Sequence, residues 1–309
     1  MSTTAPPEIE PAYSTSRGNM YQGKVEDFLA SEHADRLQGK VQLIMTSPPF
    51  PLNRKKKYGN LKGEDYVEWL ADLARPLRRL LKRDGSLVIE VGNSWEPGQP
   101  TMSTLALRAL LEFLDRGGFH LCQQFIAYNP ARLPSPIQWV NVERIRVKDA
   151  YTHIWWMSPT PRPVADNRNV LKEYSDSMKK LLKTKKYNSG RRPSEYVIGE
   201  TSFLSDNGGA IPPNVLQVSN TKRNDVYHEF CKKNDLLRHP ARMQPEIPEF
   251  FIKFLTRPKH LVFDPFAGAN TTGIVAEGLK RRWVSVEPMS DYVVGSKSRF
   301  DSEVNVTDE

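Results

Sequence analysis

Short apolar runs alternate with amphipathic stretches at both ends of the chain, whereas a proline-rich middle lacks this rhythm. Five runs have the length and composition of strands, namely residues 41–45, 86–92, 119–128, 261–264 and 283–287. Apolar residues recur at helical spacing in four stretches, namely residues 64–82, 101–115, 248–256 and 270–280. Pro76 is expected to bend or split the first of these helices. Helices between short buried strands imply parallel crossovers, so we predict an α/β fold with a doubly wound, mostly parallel sheet.

The middle of the chain, from about residue 130 to residue 235, is interrupted by nine prolines. Residues 141–235 carry 17 Lys and Arg against 11 Asp and Glu. This pattern predicts an irregular basic lobe of loops and short elements, with Trp155 and Trp156 in its core. For each basic run, an ordinary solvated surface is the alternative.

The composition narrows the class of protein. A hydrophobic fraction of 39% is sufficient for a core. No apolar run approaches the length of about 18 residues that a membrane span needs, and residues 1–11 do not resemble a signal peptide. We therefore expect a soluble cytoplasmic protein without a membrane partner. The net charge of +8 points to a polyanionic partner, and two cysteines are too few for a disulfide framework or a four-ligand zinc site.

Residues 264–272 (DPFAGANTT) end one predicted strand and open the next predicted helix. Small side chains here allow a ligand to approach the backbone, and N–H groups at a helix start favour an anionic group. Gly268 supplies conformational freedom, and Asn270 is well suited to left-handed backbone geometry. Glu287 ends the following strand, where a carboxylate can accept both hydroxyls of a ribose. The segment predicts a cofactor site, with an ordinary turn and an exposed Glu as the alternative.

The candidate cofactor-binding residues belong to these two strand ends and to a neighbouring one. They are Thr46, Asp264, Pro265, Phe266, Ala267, Gly268, Asn270, Thr271 and Glu287. The Gly-x-Gly-x-x-Gly motif is absent, which argues against an ordinary nicotinamide or flavin enzyme.

Ser47, Pro48, Pro49 and Phe50 follow a predicted strand, at the edge where open α/β sheets place their ligands. A proline-rich turn without a catalytic role is the alternative for this tetrapeptide alone. That alternative loses force because the cofactor turn stands in the same chain. The four residues are therefore the candidate catalytic residues.

The two motifs, in this order and with a basic lobe between them, resemble the exocyclic-amino DNA methyltransferases of the permuted β group. The resemblance covers about residues 19–300 and includes His239-Pro240-Ala241, which is similar to the family's lead-in to the cofactor loop. It implies a Rossmann-like methyltransferase divided into three parts between two polar tails. The parts are a catalytic half (19–135), a target-recognition lobe (136–236) and an S-adenosylmethionine-binding half (237–300), and the tails are a disordered segment (1–18) and an acidic segment (301–309).

Within this family, Ser before Pro-Pro is typical of cytosine-N4 enzymes. Three stretches, residues 47–60, 139–150 and 208–220, are similar to one type of N4 modification enzyme in particular. The resemblance implies transfer of the methyl group of S-adenosylmethionine to the N4 amino group of a flipped cytosine, without a metal. The Ser47 hydroxyl and the Pro48 carbonyl would accept the amino hydrogens and direct the nitrogen lone pair at the methyl donor, while Phe50 would stack on the base.

The implied partner is double-stranded DNA. Arg54, Lys55, Lys56 and Lys57 directly follow the catalytic turn and are expected to contact phosphates beside the flipped base. Arg144, Arg146 and Lys148 alternate with apolar residues, which predicts three cations on one strand face that reads guanine edges. The resemblance also implies a restriction endonuclease as a genetic partner, a monomer or weak dimer, and a short palindromic target such as CAGCTG.

Two departures from the family pattern keep other functions open. Asn270 stands where the family has its second Gly. Lys24 stands where the family often has an Asp near the cofactor adenine, and Glu26 or Asp27 would have to supply the missing carboxylate. The alternatives are adenine-N6 methylation, methylation of a protein or RNA amino group, and a DNA-binding protein with a non-functional cofactor pocket. Methylation at cytosine C5 is disfavoured because neither Cys122 nor Cys231 follows a proline, and both are expected to be buried.

Overall fold

Strands and helices alternate in the computed structural model, which describes residues 10–50, 61, 63–186, 188–218 and 225–301. In chain order the elements are β1 (Pro11–Ser14), β2 (Gly18–Gln22), α1 (Val25–Leu29), α2 (Glu32–Leu37), β3 (Val41–Thr46), α3 (Gly63–Asp72), α4 (Ala74–Leu80), β4 (Leu81–Gly92), α5 (Leu105–Gly117), β5 (His120–Tyr128), a π-helix (Gln138–Val142), β6 (Tyr151–Ser158), a 3-10 helix (Asn167–Val170), α6 (Asp176–Thr184), β7 (Gly190–Arg191), β8 (Val197–Ile198), β9 (Val215–Gln217), α7 (Val226–Lys233), α8 (Glu246–Leu255), β10 (Leu261–Asp264), α9 (Thr271–Gly278), β11 (Arg282–Glu287) and α10 (Ser290–Asp301). Each predicted strand and helix corresponds to elements of this series. The predicted disordered segment (1–18) is wrong for residues 11–14, because they form β1 and pair with β2.

Contacts within the chain define two compact units. Met1–Ala165 with Asn214–Glu309 form the larger unit, and Asp166–Pro213 form the smaller one. The smaller unit contains α6, which begins where the Ser175 hydroxyl accepts a hydrogen bond from the Met178 N–H, and the short β7–β8 pair. The predicted lobe at residues 136–236 therefore extends beyond the smaller unit at both ends.

A single sheet organises the larger unit. Among the described residues its strand order is β1-β2-β11-β10-β3-β4-β6-β5-β9. The strands from β2 to β4 in this order are all parallel, and β6 is antiparallel to both β4 and β5. The mostly parallel, doubly wound sheet is therefore confirmed.

Strand β6 corrects the prediction for the middle of the chain. Residues 151–158 lie between β4 and β5 in the main sheet, so Trp155 and Trp156 belong to the core of the larger unit and not to that of a separate lobe. The indole N–H of Trp156 donates a 2.9 Å hydrogen bond to the Ser86 hydroxyl on β4. The prolines that flank this run predict an irregular region, but the apolar side chains of the run itself suit a central strand.

Both faces of the sheet are covered by helices. Every residue of β3 is buried, and successive side chains enter opposite cores. Ile44 packs in the core formed with α1, α3, α4 and α5, whereas Leu43 and Met45 pack in the core formed with α8, α9 and α10. The buried core therefore holds the carboxyl end of β3 in a fixed position.

The predicted helix at residues 64–82 is split, but at Leu73 and not at Pro76. Pro76 lies in the first turn of α4, where its missing N–H removes no intrahelical hydrogen bond. Among the described residues, no helix is long and apolar enough to cross a membrane.

Candidate active site

The central strands β10 and β3 lie side by side and point in the same direction. From β10 the chain continues to β11 on one side of the pair, and from β3 it continues to β4 on the other side. The chain thus departs in opposite directions from two neighbouring strand ends, which leaves a crevice at their carboxyl edge. Thr46 ends β3 and Asp264 ends β10, so both predicted motifs meet at this crevice.

A buried hydrogen bond joins the two strand ends. The Thr46 hydroxyl donates to Oδ1 of Asp264 at 2.6 Å, and the Phe266 N–H donates to the same oxygen at 3.1 Å. Burial raises the pKa of Asp264 to about 6, although these hydrogen bonds act in the opposite direction. The carboxyl therefore anchors the start of the 264–272 turn.

The turn itself has the backbone geometry that its sequence predicts. Gly268 has φ +52° and Asn270 has φ +53°, so both occupy the left-handed region. A Cβ atom on Gly268 would lie 2.9 Å from Nε2 of His239, so a larger residue would displace the histidine ring. The close approach of His239 to the backbone explains the need for glycine here.

The Asn270 side chain joins the turn to neighbouring elements through hydrogen bonds. Its side-chain oxygen accepts hydrogen bonds from the Gly273 N–H at 3.2 Å and the Ser285 hydroxyl at 2.7 Å, and its amide donates to the Tyr13 hydroxyl at 3.0 Å. The side chain thus caps α9 and ties it to β1 and β11. The turn therefore accommodates Asn270 at the position where the family pattern has its second Gly.

Glu287 ends β11 with its carboxylate directed at the turn. One oxygen accepts from the Gly268 N–H at 2.9 Å and the other accepts from the Met289 N–H at 3.0 Å. Burial, with a smaller contribution from the Asp264 charge, raises the pKa of Glu287 to about 7. Each oxygen retains a further lone pair, which suits the predicted acceptance of two ribose hydroxyls.

Ser47 lies between two adjoining pockets. The first, here called the turn pocket, is lined by Ser47, His239, Asp264, Phe266, Gly268 and Thr271, together with Ala267. The second, here called the Phe50 pocket, is lined by Ser47, Phe50, Glu90, Asn129, Arg132 and Thr152. Ala241, Arg242 and Met243 border both pockets. A group held in one pocket can therefore meet a group held in the other beside Ser47.

The Phe50 ring packs against the backbone of Gly92. A Cβ atom on Gly92, at the end of β4, would lie 2.4 Å from the Phe50 ring. The absence of a side chain at Gly92 allows the ring to pack against the strand and line the pocket. Among the predicted catalytic residues, Ser47 and Phe50 are thus brought to one pocket.

Glu90 is a site residue that the sequence reasoning missed. The Ser47 hydroxyl donates to its backbone carbonyl at 3.3 Å, and the Thr152 hydroxyl donates to its carboxyl at 2.9 Å. Burial raises the pKa of Glu90, while hydrogen bonding to Thr152 and the charge of Arg132 lower it. An acidic residue inside the apolar run 86–92 was the available signal.

Two further side chains lie near the site, Arg242, which the sequence analysis did not predict, and His239, which belongs to the predicted lead-in to the cofactor turn. Arg242 is almost fully buried, forms an ion pair with Asp225 and lies over the Tyr227 ring. Burial and the Arg242 charge lower the pKa of His239 to about 4, so the imidazole is neutral at pH 7. The turn pocket is therefore bordered by one buried cation and one neutral ring.

Lys24 precedes α1 as its N-cap residue. Glu26, one of the two possible compensating acids, accepts a 2.7 Å hydrogen bond from the Trp69 indole N–H. The Trp69 ring in turn contacts the Phe266 ring edge-on at 5.6 Å, so Glu26 is linked to the turn through one aromatic contact.

The predicted strand face with three cations is wrong. Residues 144–148 form no strand, because the Ile145 and Arg146 N–H groups both donate to the Trp139 carbonyl and turn the chain. Arg146 donates to the carbonyl of Pro100, and Lys148 donates to those of Pro130 and Arg132. Arg144 is exposed with φ +58°. Arg54, Lys55, Lys56 and Lys57 lie outside the described residues.

Neither cysteine lines either pocket. Cys231 is buried, as expected, but Cys122 is only partly buried. Burial raises the pKa of both thiols, that of Cys122 to about 11. Among the described residues, no group of three or more His, Cys, Asp or Glu is arranged to hold a metal ion.

Known DNA methyltransferases are similar to this chain in sequence. The type II methyltransferase M.PvuII of Proteus hauseri is 46% identical to the chain over 305 residues, which cover 97% of this chain and 89% of the relative. The type II methyltransferase M.BglII of Bacillus subtilis is 27% identical over 257 residues, which cover 82% of this chain and 61% of the relative. M.PvuII confirms the predicted similarity to one type of modification enzyme.

Solved structures have the same fold. The PvuII DNA methyltransferase (cytosine-N4-specific) matches with a TM-score of 0.75 at 40% identity, over 94% of this chain and 88% of that chain. The M1.HpyAVI–SAM complex matches with a TM-score of 0.53 at 18% identity, over 92% and 99% of the two chains, which is a likeness of fold alone. The family model described as DNA methylase (N6_N4_Mtase) matches residues 41–298. Because that match spans most of the chain, the protein belongs to this DNA methylase family.

Proposed function

We propose that this protein transfers the methyl group of S-adenosylmethionine to the N4 amino group of a cytosine flipped out of duplex DNA. The observation that carries the proposal is the position of Ser47 at the junction of the turn pocket and the Phe50 pocket. Two similar proteins support the proposal. M.PvuII is named a type II methyltransferase, and the matching PvuII structure is described as cytosine-N4-specific. A role as the modification enzyme of a restriction-modification system follows from the same names.

The turn pocket has the features that S-adenosylmethionine needs. Phe266, Gly268 and Thr271 line this pocket. Glu287, whose carboxylate accepts a hydrogen bond from the Gly268 N–H, lies beside this lining and offers an acceptor for each ribose hydroxyl. The bound sulfonium supplies an already activated methyl group. The protein therefore has to position the two reactants, and a strong general base is unnecessary.

Ser47 is oriented to contact the amino group of the base. Because its hydroxyl proton is donated to the Glu90 carbonyl, both lone pairs of the oxygen remain available as acceptors. An amino hydrogen bound there, and the second one bound by the Pro48 carbonyl, draw the nitrogen away from conjugation with the ring. The Phe50 ring holds the base by stacking in the pocket.

The Glu90 carboxyl supports the same step electrostatically. It is buried in the Phe50 pocket and is hydrogen-bonded by Thr152. Methyl transfer leaves S-adenosylhomocysteine and a positively charged amino nitrogen, which then loses one proton to solvent. A carboxylate near that nitrogen stabilises the charge until the proton has left. Glu90 is in this way a positioning group for Ser47 and a source of negative potential for the substrate.

Product analysis tests the proposed reaction. DNA incubated with the purified protein and S-adenosylmethionine is digested to nucleosides and measured by mass spectrometry, with N4-methylcytosine as the expected product. N6-methyladenine as the sole product would overturn the choice of cytosine.

Calorimetry tests the alternative of a DNA-binding protein with a non-functional cofactor pocket. DNA binding without any heat of S-adenosylmethionine binding would favour that alternative. Methylation-sensitive sequencing of the treated DNA identifies the target sequence, for which CAGCTG is the proposal.

A further inference from the structure

The segment from residue 129 to residue 150, here called the β5–β6 loop, begins beside the active site. Strands β4 and β5 are both antiparallel to β6, so the carboxyl end of β5 lies at the same edge of the sheet as Ser47. Asn129 and Arg132, the first polar residues of the loop, line the Phe50 pocket together with Ser47. The loop therefore starts at the pocket that we propose receives the flipped base.

Large apolar side chains of this loop face solvent. Leu133 is 80% exposed and Val147 is 86% exposed, and Ile137 and Val142 are 66% and 64% exposed. Ile145 is 48% exposed. A single exposed apolar residue needs no explanation, but five within fifteen residues beside an active site mark an interaction surface.

The exposure does not result from a loose chain, because hydrogen bonds hold the loop. The Asn129 N–H donates to the Ala150 carbonyl at 2.8 Å, and the Asp149 N–H donates to the Ser135 carbonyl at 3.0 Å. Lys148 reaches the Pro130 carbonyl at 2.7 Å, and Asn93 at the end of β4 donates to the Asp149 carboxyl at 2.9 Å. The two arms of the loop are therefore tied to each other and to the sheet.

These ties bring Leu133 and Val147 onto neighbouring segments. Lys148 bonds the carbonyl of Arg132, which precedes Leu133, and Asp149 bonds that of Ser135, which follows it. Val147 directly precedes Lys148. The backbone segments that carry the exposed side chains of Leu133 and Val147 are thus held next to each other by hydrogen bonds.

We propose that Leu133 and Val147 form a wedge that enters the DNA duplex and fills the space left by the flipped base. The inference rests on the proposed function. Extrusion of a base leaves the base opposite it without a partner, and apolar side chains inserted at that point contact this unpaired base. Arg132, Arg144, Arg146 and Lys148 give the same loop a positive charge that attracts the flanking phosphates. The wedge acts on base extrusion and leaves cofactor binding unchanged.

The test compares two duplexes that contain the mapped target sequence. In one, the target base is paired, and in the other it faces an abasic site, so that its extrusion breaks no pair. We expect Leu133→Ala/Val147→Ala to lower kcat/KM about tenfold on the paired duplex and less than about twofold on the other. Leu111→Ala is the matched control, since Leu111 is 61% exposed on α5, away from both pockets, and both rates should be unchanged.

The possible outcomes separate the wedge from the reaction itself. Equal losses on both duplexes, or no loss on either, would overturn the wedge. Correct folding of the double variant is checked by its thermal transition and by S-adenosylmethionine calorimetry. Val147→Ser alone should lower kcat/KM less than the double substitution does, again more on the paired duplex than on the other. Wild-type protein that methylates neither duplex would overturn the proposed function, whereas normal activity of the double variant would overturn only the wedge.

Discussion

Thr46 donates a 2.6 Å hydrogen bond to Asp264, although 218 residues separate the two in the sequence. The bond joins the carboxyl end of β3, which leads into the catalytic tetrapeptide, to that of β10, which leads into the cofactor turn. Because both strands are buried in the same sheet, the bond and the β3–β10 pairing hold the two pockets in register. The two distant motifs thus form one site.

The Asp264→Asn variant is expected to be more stable than the wild type, and increasingly so at higher pH. Burial raises the pKa of Asp264 from 3.8 to about 6, so the folded protein binds this proton more tightly than the unfolded chain does. The stability due to the carboxyl is therefore complete below about pH 4 and declines as the pH rises to about 6. Asn keeps an oxygen for Thr46 and Phe266 and carries no charge. Its advantage should grow by about 2–3 kcal/mol from pH 4 to pH 7, measured by urea unfolding.

Thr46→Val is the matched control for this titration. It removes the hydroxyl that favours the ionised form of Asp264, so the stability of this variant should depend on pH more steeply than that of the wild type. A stability difference between Asp264→Asn and the wild type that is constant over this pH range would contradict the prediction.

The Gly268→Ala variant is expected to lose cofactor binding. The chain contains a glycine of the same backbone conformation for comparison, since Gly63 has φ +53° and no atom of the described residues lies within 4 Å of an added Cβ. Both substitutions should reduce the free energy of unfolding by about 1 kcal/mol because Ala is strained at positive φ. Gly268→Ala should in addition displace His239 and weaken S-adenosylmethionine binding at least about tenfold, measured by calorimetry. Equal cofactor affinities of the two variants would show that the approach of His239 is unimportant.

The cofactor turn could be predicted because its signals are local. A strand, a left-handed position at Asn270 and a helix start follow one another within ten residues, and each has its own sequence preference. The tetrapeptide after β3 could be placed at the active edge for the same reason, since a proline pair ends a buried strand. Family resemblance then supplied the chemistry that these positions share.

Features that depend on distant parts of the chain were missed or placed wrongly. Glu90 could be seen as an acidic residue in an apolar strand, but its contact with Thr152 exists only because β6 lies beside β4. Residues 144–148 alternate like a strand, yet the Trp139 carbonyl binds two N–H groups of this segment and turns it. Five residues of alternation are too few to outweigh such a tertiary contact.

Affinity for S-adenosylmethionine is expected to depend on the ionisation of Glu287. Burial raises the pKa of this carboxyl to about 7, and only the ionised form accepts hydrogen bonds at both oxygens. Affinity should therefore increase about tenfold from pH 6 to pH 8, as the ionised fraction does. In Glu287→Gln the affinity should be lower and nearly independent of pH. Parallel pH profiles of the two proteins, measured by calorimetry, would exclude Glu287 as the titrating group.

The Glu90→Gln variant is expected to change the pH profile of the reaction. Burial raises the pKa of Glu90, so the carboxylate that stabilises positive charge on the amino nitrogen forms at a higher pH than for an ordinary Glu. The wild-type kcat should rise with pH through this titration, and the Gln variant should have a lower and flatter profile. Glu96→Gln, on a residue that lines neither pocket, is the control and should leave the profile unchanged.

The Ser47→Ala variant is expected to lose most methyl transfer while keeping its cofactor. Ala removes the oxygen that we propose binds an amino hydrogen, but it preserves the Thr46–Asp264 bond and the whole 264–272 turn. We therefore expect kcat to fall about 100-fold or more, measured by transfer of labelled methyl groups to DNA, with the S-adenosylmethionine Kd changed less than about twofold. Thr152→Val leaves Ser47 intact and should lower kcat less. If Ser47→Ala weakened cofactor binding as much as it slowed transfer, Ser47 would support the structure of the site and not the reaction.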